Sequence, residues 1–503
     1  MSSVATTPLT LNPNHLPQHP LYQPKEGTAD TAIGWNLATE PFKLNPATQD
    51  ILSTLGDALW NYQLACEHLY TQSLKGKSHP WIAEWVNRGK PEHLIKYGTM
   101  KRFKHQFPLV MRPDLLLTDN GLKLTELDSV PGGIGFTAAL NHAYHHSGFS
   151  VVQADGTQNQ NSMPLAFWNM LVAFYNAHQK QTDLNNPNTS PTTALLVSDE
   201  FSDYELEITW LVNHLQQEFN KPIHIVRPKD LHLNKDRLVY TNAEGTEYPI
   251  DLLYRFFELF DLPNIPNIEL VQFAIKKGWV LCTPPFKSHL EEKLWQGIFH
   301  HPALTKEWQT LLGTQHWNTL NHIIPKTWIL DASPLPPHAV IPGLAEAIGL
   351  DTPIQSFEQL KTLTQKQREL VIKPSGFSPI AWGSKGVTIG HDVSTEDWCT
   401  AIDTALNTTD IPPYVLQVFH KPKRNTLKKW LASGQAPLHF EGRTRLCPYY
   451  FASPQGKDSK TSPSMTLAGI LATSCPADKK IIHGMKDGIL SPAQYESHKP
   501  PLS

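Results

Sequence analysis

The chain has 503 residues, of which 43 are Lys or Arg and 46 Asp or Glu, a formal net charge of −3. At about 150 residues per domain, this length implies two to four domains. The 40% hydrophobic and 10% aromatic content excludes disorder throughout. The balanced charge excludes a broad nucleic-acid surface and gives no support for a polybasic membrane patch.

No apolar run reaches the roughly 18–20 residues of a membrane-spanning helix. The opening MSSVATTPLTLNPNHLPQHP lacks the basic start and apolar stretch of a secretory signal. Cys66, Cys282, Cys399, Cys447 and Cys475 are scattered, odd in number and without a CxxC pair. They predict neither a disulfide framework nor a structural zinc site, and fit a reducing, cytoplasmic setting. His142, His145 and His146 can share a helix face. That spacing permits metal binding, but without HExxH a solvated polar face explains it as well.

In chain order, residues 1–45 are rich in Pro, Thr and Asn and predict an extended arm. From 46 to 85, Ile51, Leu55, Leu59, Tyr62, Cys66 and Leu69 recur at helical spacing. PLVMRPDLLL (108–117) and KLTELDSV (123–130) flank Asp119-Asn120-Gly121 and predict a hairpin. Helices are expected over 136–147 and 164–178, and a linker over 181–193. ALLVSDE (194–200), a helix through Trp210 and Leu215, and PIHIVRP (222–228) give a βαβ rhythm, continued by DLLYRFFELFD (251–261). A small parallel sheet follows. No GxGxxG marks a dinucleotide site there. Beyond Lys287 a helix is expected to carry Lys293. Strands are expected at 323–330, 369–374, 386–390, 414–420, 443–451 and 466–474, and the last twenty or so residues predict a tail.

Three constellations carry chemistry. Across the hairpin, Arg112-x-Asp114 faces Glu126-x-Asp128, and strand alternation puts each pair on one side. Three carboxylates beside a guanidinium suit Mg²⁺, which takes few carboxylates and completes its octahedron with water and phosphate. Cross-strand ion pairs on a solvated hairpin explain the same residues. In the following Val130-Pro131-Gly132-Gly133-Ile134-Gly135, glycines allow close approach by a ligand, or simply a turn. Second, Lys373 ends an apolar strand ahead of SGFSPIAWGSKG (375–386), where a lysine and loop amides can hold nucleotide phosphates. It is not the Walker pattern, and a surface hairpin with a long tip is the plainer reading of this segment taken alone. Third, YVLQVFH (414–420) is either a core strand or one wall of an adenine pocket.

Together these segments resemble the ATP-grasp superfamily in the permuted order of glutathionylspermidine synthetases. VMRPDLLLTDNGLKLTELDSVPGG matches the family's Arg-x-Asp and Glu-x-Asn strands, with Asp128 in place of Asn. LVIKPSGFSPIAWGSKGVTIG matches its lysine strand and lid, and YVLQVFH its hinge strand. IDLLYRFFELFD and FKSHLEEKLWQGIFHHPAL match more loosely, so the resemblance runs through roughly 95–475. No papain-type amidase motif precedes it. The resemblance implies an α/β (α+β) ATP-grasp-like fold with a small Rossmann-like domain ahead of the ATP-binding part. The implied segments are an arm (1–45), helices with the metal and substrate hairpin (46–180), the Rossmann-like domain (190–286), ATP-binding subdomains (287–480) and a tail (481–503).

It further implies an ATP-dependent carboxylate–amine ligase working through an acyl phosphate, with ATP and Mg²⁺. Its partners would be a small-molecule or peptide carboxylate and an amine, with no nucleic acid and no membrane. The metal ligands would be Asp114, Glu126 and Asp128, and Arg112 would steady the acceptor carboxylate or acyl phosphate. Lys293, Lys373, Gly383, Lys385, Gly386, Gln417 and Arg445 would hold the nucleotide. A non-catalytic nucleotide- or peptide-binding relative and a phosphotransferase with the same cradle stay open.

Overall fold

The computed structural model describes residues 36–153, 162–178, 190–199, 204–333, 335–336, 338–381, 385–407, 412–430, 437–453, 463–482 and 487–496. Its largest unit is an eight-stranded sheet ordered Asn36–Leu37, Ile489–Tyr495, Ser464–Pro476, Leu438–Ser453, Val110–Thr118, Gly121–Asp128. Arg424–Lys429 pairs with Leu438–Ser453, and Phe42–Leu44 with Ile489–Tyr495. The helix Pro46–Leu74 packs on it. Asn45 caps the helix by accepting from the Thr48 amide at 2.8 Å, and Pro46 occupies the first turn, where no amide is needed. Leu52, Leu55, Leu59, Tyr62, Cys66 and Leu69 are its buried stripe. Gly56 lets the helix approach Tyr450, whose ring would stand 2.6 Å from a Cβ there.

The expected parallel sheet is present. Leu281–Thr283, Leu252–Phe256, Thr193–Val197 and Ile223–Val226 lie side by side, each neighbour parallel, with Glu205–Phe219 as a crossover helix. A three-stranded meander, Leu231–Asn234, Arg237–Thr241 and Glu247–Ile250, follows and was not anticipated. A third, antiparallel sheet orders Thr327–Ile329, Tyr414–Val418, Leu370–Pro374 and Thr388–Ile389.

Two expectations differ from the structure. Residues 489–495 are no tail: they form a strand against Ser464–Pro476. The described end of the arm adds Asn36–Leu37 and Phe42–Leu44 in parallel to that strand. A proline at 492 disfavours a strand, but pairing with segments more than 400 positions away outweighs that local signal. Lys293 is not carried inside a helix. It stands just before the short helix Leu294–Phe299, as its N-cap. The linker over 181–193 lies mostly outside the described residues. No helix among them is long and apolar enough to cross a membrane.

Candidate functional site

The hairpin of the large sheet meets the antiparallel sheet at a cleft. In the hairpin, Arg112 pairs with Asp128 and Asp114 with Glu126. The register then shifts. Leu115 faces Leu124, so Thr125 is an extra residue on its strand. This bulge matters to the site. Leu122 and Leu124 point into the core, and unbroken alternation would send Glu126 after them. The extra residue turns Glu126 out, so that Lys123, Thr125 and Glu126 all line the cleft. The Thr125 hydroxyl fixes the bulge by donating to the Asp114 carbonyl at 3.0 Å.

From the opposite sheet, Lys373 reaches across. Its ammonium donates to the Thr125 carbonyl at 3.0 Å and to Gln417 Oε1 at 2.8 Å. Gln417 is buried and spends its amide on Gln296 Oε1 (2.6 Å) and Thr327 Oγ1 (3.0 Å). Lys293 pairs with Glu126 Oε1 at 3.1 Å and donates to the Ala381 carbonyl at 2.8 Å. Arg445 binds Asp114 Oδ2 at 2.7 Å, and its buried Nε has no hydrogen-bond partner. Val371, Val387, Ile389, Val418 and Phe419 give the cleft an apolar half, and Lys480, Ile481 and Ile482 close one side.

The charges tune one another. Burial, with the nearby Lys293 charge, lowers the Lys373 ammonium to about 8 against the pull of Glu126 and Asp114. Burial raises Asp114, but Arg112 and Arg445 outweigh it and hold the carboxyl below its usual range. Asp128 moves the other way: burial lifts it, and Glu126 and Asp114 add to that against Arg112. The Cys447 thiol, buried beside Asp114 and donating to it at 3.4 Å, is pushed up to about 12.

The structure brings Asp114, Glu126, Lys293, Lys373, Gln417 and Arg445 to one cleft. It does not gather the three carboxylates into one ligand set, and no group of three metal-ligating side chains converges among the described residues. Asp128 is drawn off by Arg112, at 3.0 Å, and by the Val130 amide at 2.9 Å. Arg112 also holds Asp114 at 3.1 Å and the Gly132 carbonyl at 3.0 Å. Lys385 is exposed. Gly386 packs on its own loop, where a Cβ would stand 2.7 Å from Pro374. Gly383 lies outside the described residues. His142 and His146 lie ring to ring at 4.1 Å, and no group of three metal-ligating side chains forms there among the described residues.

The glycines after the hairpin admit the protein's own groups. A Cβ on Gly132 would stand 2.3 Å from the Tyr204 ring, on Gly133 2.4 Å from the Tyr449 hydroxyl, and on Gly135 2.1 Å from the Glu207 carbonyl. Glu207 was not anticipated. Its carboxylate accepts from the amides of Gly133 (2.6 Å) and Phe136 (2.9 Å), at the start of the helix Ile134–His146. Glu258 was also missed. Burial raises its carboxyl well above the usual range, and Asp128 and Glu291 add to that against Arg255. Arg255 and Glu258 stand in DLLYRFFELFD, whose charges inside an apolar run were the available signal, whereas Glu291 stands in the polar HLEEK, which carried none.

No protein-family model matches the sequence, and no curated protein matches it significantly. Among solved structures, the chain is similar to a glutathione synthetase-like effector from Globodera pallida in its apo form. The identity is 13% and the TM-score 0.52, over 91% of this chain and 90% of that one. A candidate gamma-glutamylcysteine synthetase from Methylobacillus flagellatus KT aligns over 92% and 89% at 12% identity, but its TM-score of 0.39 is too low to bear on the fold. The first likeness is nearly end to end, and the chain has the glutathione-synthetase-like, ATP-grasp-type fold.

Proposed function

We propose that the protein is an ATP-dependent ligase that joins a carboxylate to an amine through an acyl phosphate. The observation that carries this reading is the cleft itself. Three cations from three separated segments, Lys293, Lys373 and Arg445, face two carboxylates of the hairpin, Asp114 and Glu126, beside an apolar wall. The cations suit a polyphosphate, and the wall formed by Val371, Ile389, Val418 and Phe419 suits a base. The buried, unpartnered Arg445 Nε is a donor that lacks an acceptor.

Glu126 suits Mg²⁺, which is held by one or two carboxylates with substrate phosphates completing its shell, and Asp114 would join it once a phosphate draws Arg445 off its Oδ2. When bound, the ion would offset the charge of the phosphates. Asp128 serves instead to orient Arg112. In this reading the acceptor carboxylate attacks the terminal phosphorus, ADP leaves, and an amine then displaces phosphate. Lys293 and Lys373 hold the phosphates, and Arg112 steadies the acceptor.

Hydroxylamine tests the chemistry, because it intercepts an acyl phosphate as a hydroxamate. The ligase reading expects carboxylate-dependent ADP release and hydroxamate formation. Phosphate transfer to a hydroxyl without hydroxamate would favour a phosphotransferase. No nucleotide binding at all would overturn the reading.

A further inference from the structure

Beside the cleft, and outside its lining, lies a buried charge pair that the proposed chemistry does not use. Lys90 Nζ and Glu292 Oε2 are 2.9 Å apart, and both side chains are 0% exposed. Such a pair is weak evidence for stability, because desolvation consumes most of its attraction. Its hydrogen bonds point to another use. Glu292 Oε2 accepts from the Ser375 hydroxyl at 2.7 Å, and Oε1 from the amides of Gly376 (3.1 Å) and Leu294 (3.3 Å). Lys90 also donates to the Ser288 carbonyl at 3.1 Å, and its ammonium lies 5.6 Å from the Phe377 ring centre. The two backbones touch: a Cβ on Gly376 would stand 2.2 Å from the Glu291 carbonyl.

The sequence positions give the consequence. Glu292 immediately precedes Lys293, and Ser375 lies two residues past Lys373. One carboxylate therefore ties together the two segments that carry these ammoniums. Glu126 offsets the repulsion between the two ammoniums inside the cleft, while Glu292 fixes the spacing of their two segments from outside its lining. We infer that Glu292, with Lys90 as its counter-ion, is a positioning residue. It sets the spacing of Lys293 and Lys373 and anchors the start of the loop that follows Lys373. The inference rests on the ligase reading for its nucleotide, but not for the tether.

The test pairs nucleotide titration with hydrogen exchange in the absence of nucleotide. Lys90→Met/Glu292→Leu removes both charges and the tether while keeping buried volume. Lys90→Met/Glu292→Gln removes the charges but keeps an acceptor for Gly376. In the Met/Leu protein, exchange of the 376–381 amides should quicken, and MgATP affinity should fall about tenfold or more, the loss of roughly one charge-assisted contact. The Met/Gln protein should stay close to wild type in both. Should Met/Leu not fold, Ser375→Ala removes one tether bond alone and should also quicken exchange. Unchanged exchange, or quickened exchange with wild-type affinity, overturns the inference. If the wild type binds no ATP, the ligase reading fails, while the exchange comparison still decides whether the tether exists.

Discussion

Lys373 donates to the carbonyl of Thr125, the bulged residue of the hairpin, at 3.0 Å across 248 positions of sequence. That bond joins the antiparallel sheet to the strand whose bulge turns Glu126 into the cleft. The lysine and the carboxylate thus reach one site through a single local distortion.

Lys373 should make nucleotide binding sensitive to pH. Its ammonium loses its proton near pH 8 because of burial and Lys293. Bound phosphate favours the charged form and raises that value. Affinity should therefore be constant below about pH 7.5 and fall by about tenfold per unit well above pH 8, with proton uptake on binding. Calorimetry in buffers of different ionisation enthalpy checks this. Lys373→Met should lose the pH dependence and weaken binding by about 1.5–3 kcal/mol. A pH-independent wild type would contradict the assignment.

Glu126→Gln tests the hairpin. The side chain is 40% exposed and pairs with Lys293, so the fold should survive with a melting temperature within a few degrees. Product formation should fall by about 100-fold or more, as expected for lost transition-state stabilisation. Wild-type turnover would remove Glu126 from the metal set. A collapsed melting temperature would make it a structural residue.

Glu207 should contribute a slope to stability against pH. Burial lifts its carboxyl to about 7 from an ordinary 4.5, although backbone donors and Arg112 oppose the rise. The folded chain then holds this proton more tightly than the unfolded one. The contribution is fully present below about pH 4.5 and is lost as pH rises through 7. Wild-type melting temperature, taken relative to Glu207→Gln, should fall between pH 5 and 8. Parallel curves for the two proteins would refute this.

Gly135→Ala separates a packing role from a ligand role in the glycine loop. The added Cβ meets the Glu207 carbonyl at 2.1 Å, which is backbone and cannot swing away. A loss of about 1–3 kcal/mol in stability is expected. A stable variant with only its ligand affinity changed would restore the ligand reading.

Much of the site was legible because it is local. That the two strands form a hairpin follows from the short turn, whereas the Arg112–Asp128 and Asp114–Glu126 pairings need the bulge, without which Asp114 would face Thr125. Lys373 announced itself as a charge ending an apolar strand. The bulge did not, because nothing in Leu124-Thr125-Glu126 marks an extra residue; the core's demand for Leu115 and Leu124 sets it. Nor did the fate of Asp128, since spacing puts a side chain on a face and only the fold decides whether Arg112 claims it. The strand Ile489–Tyr495 was hidden for a similar reason. Its partners include the opposite end of the chain, and its own proline argues against it.

The most direct test of the cleft is a calorimetric MgATP titration of the wild type beside Lys293→Met/Lys373→Met, with folding of both verified by melting temperature. The account predicts one nucleotide per wild-type chain and an affinity at least about 100-fold weaker in the double variant, since two charge-assisted phosphate contacts are lost. Equal affinity in the two proteins, or no binding by the wild type, would contradict it.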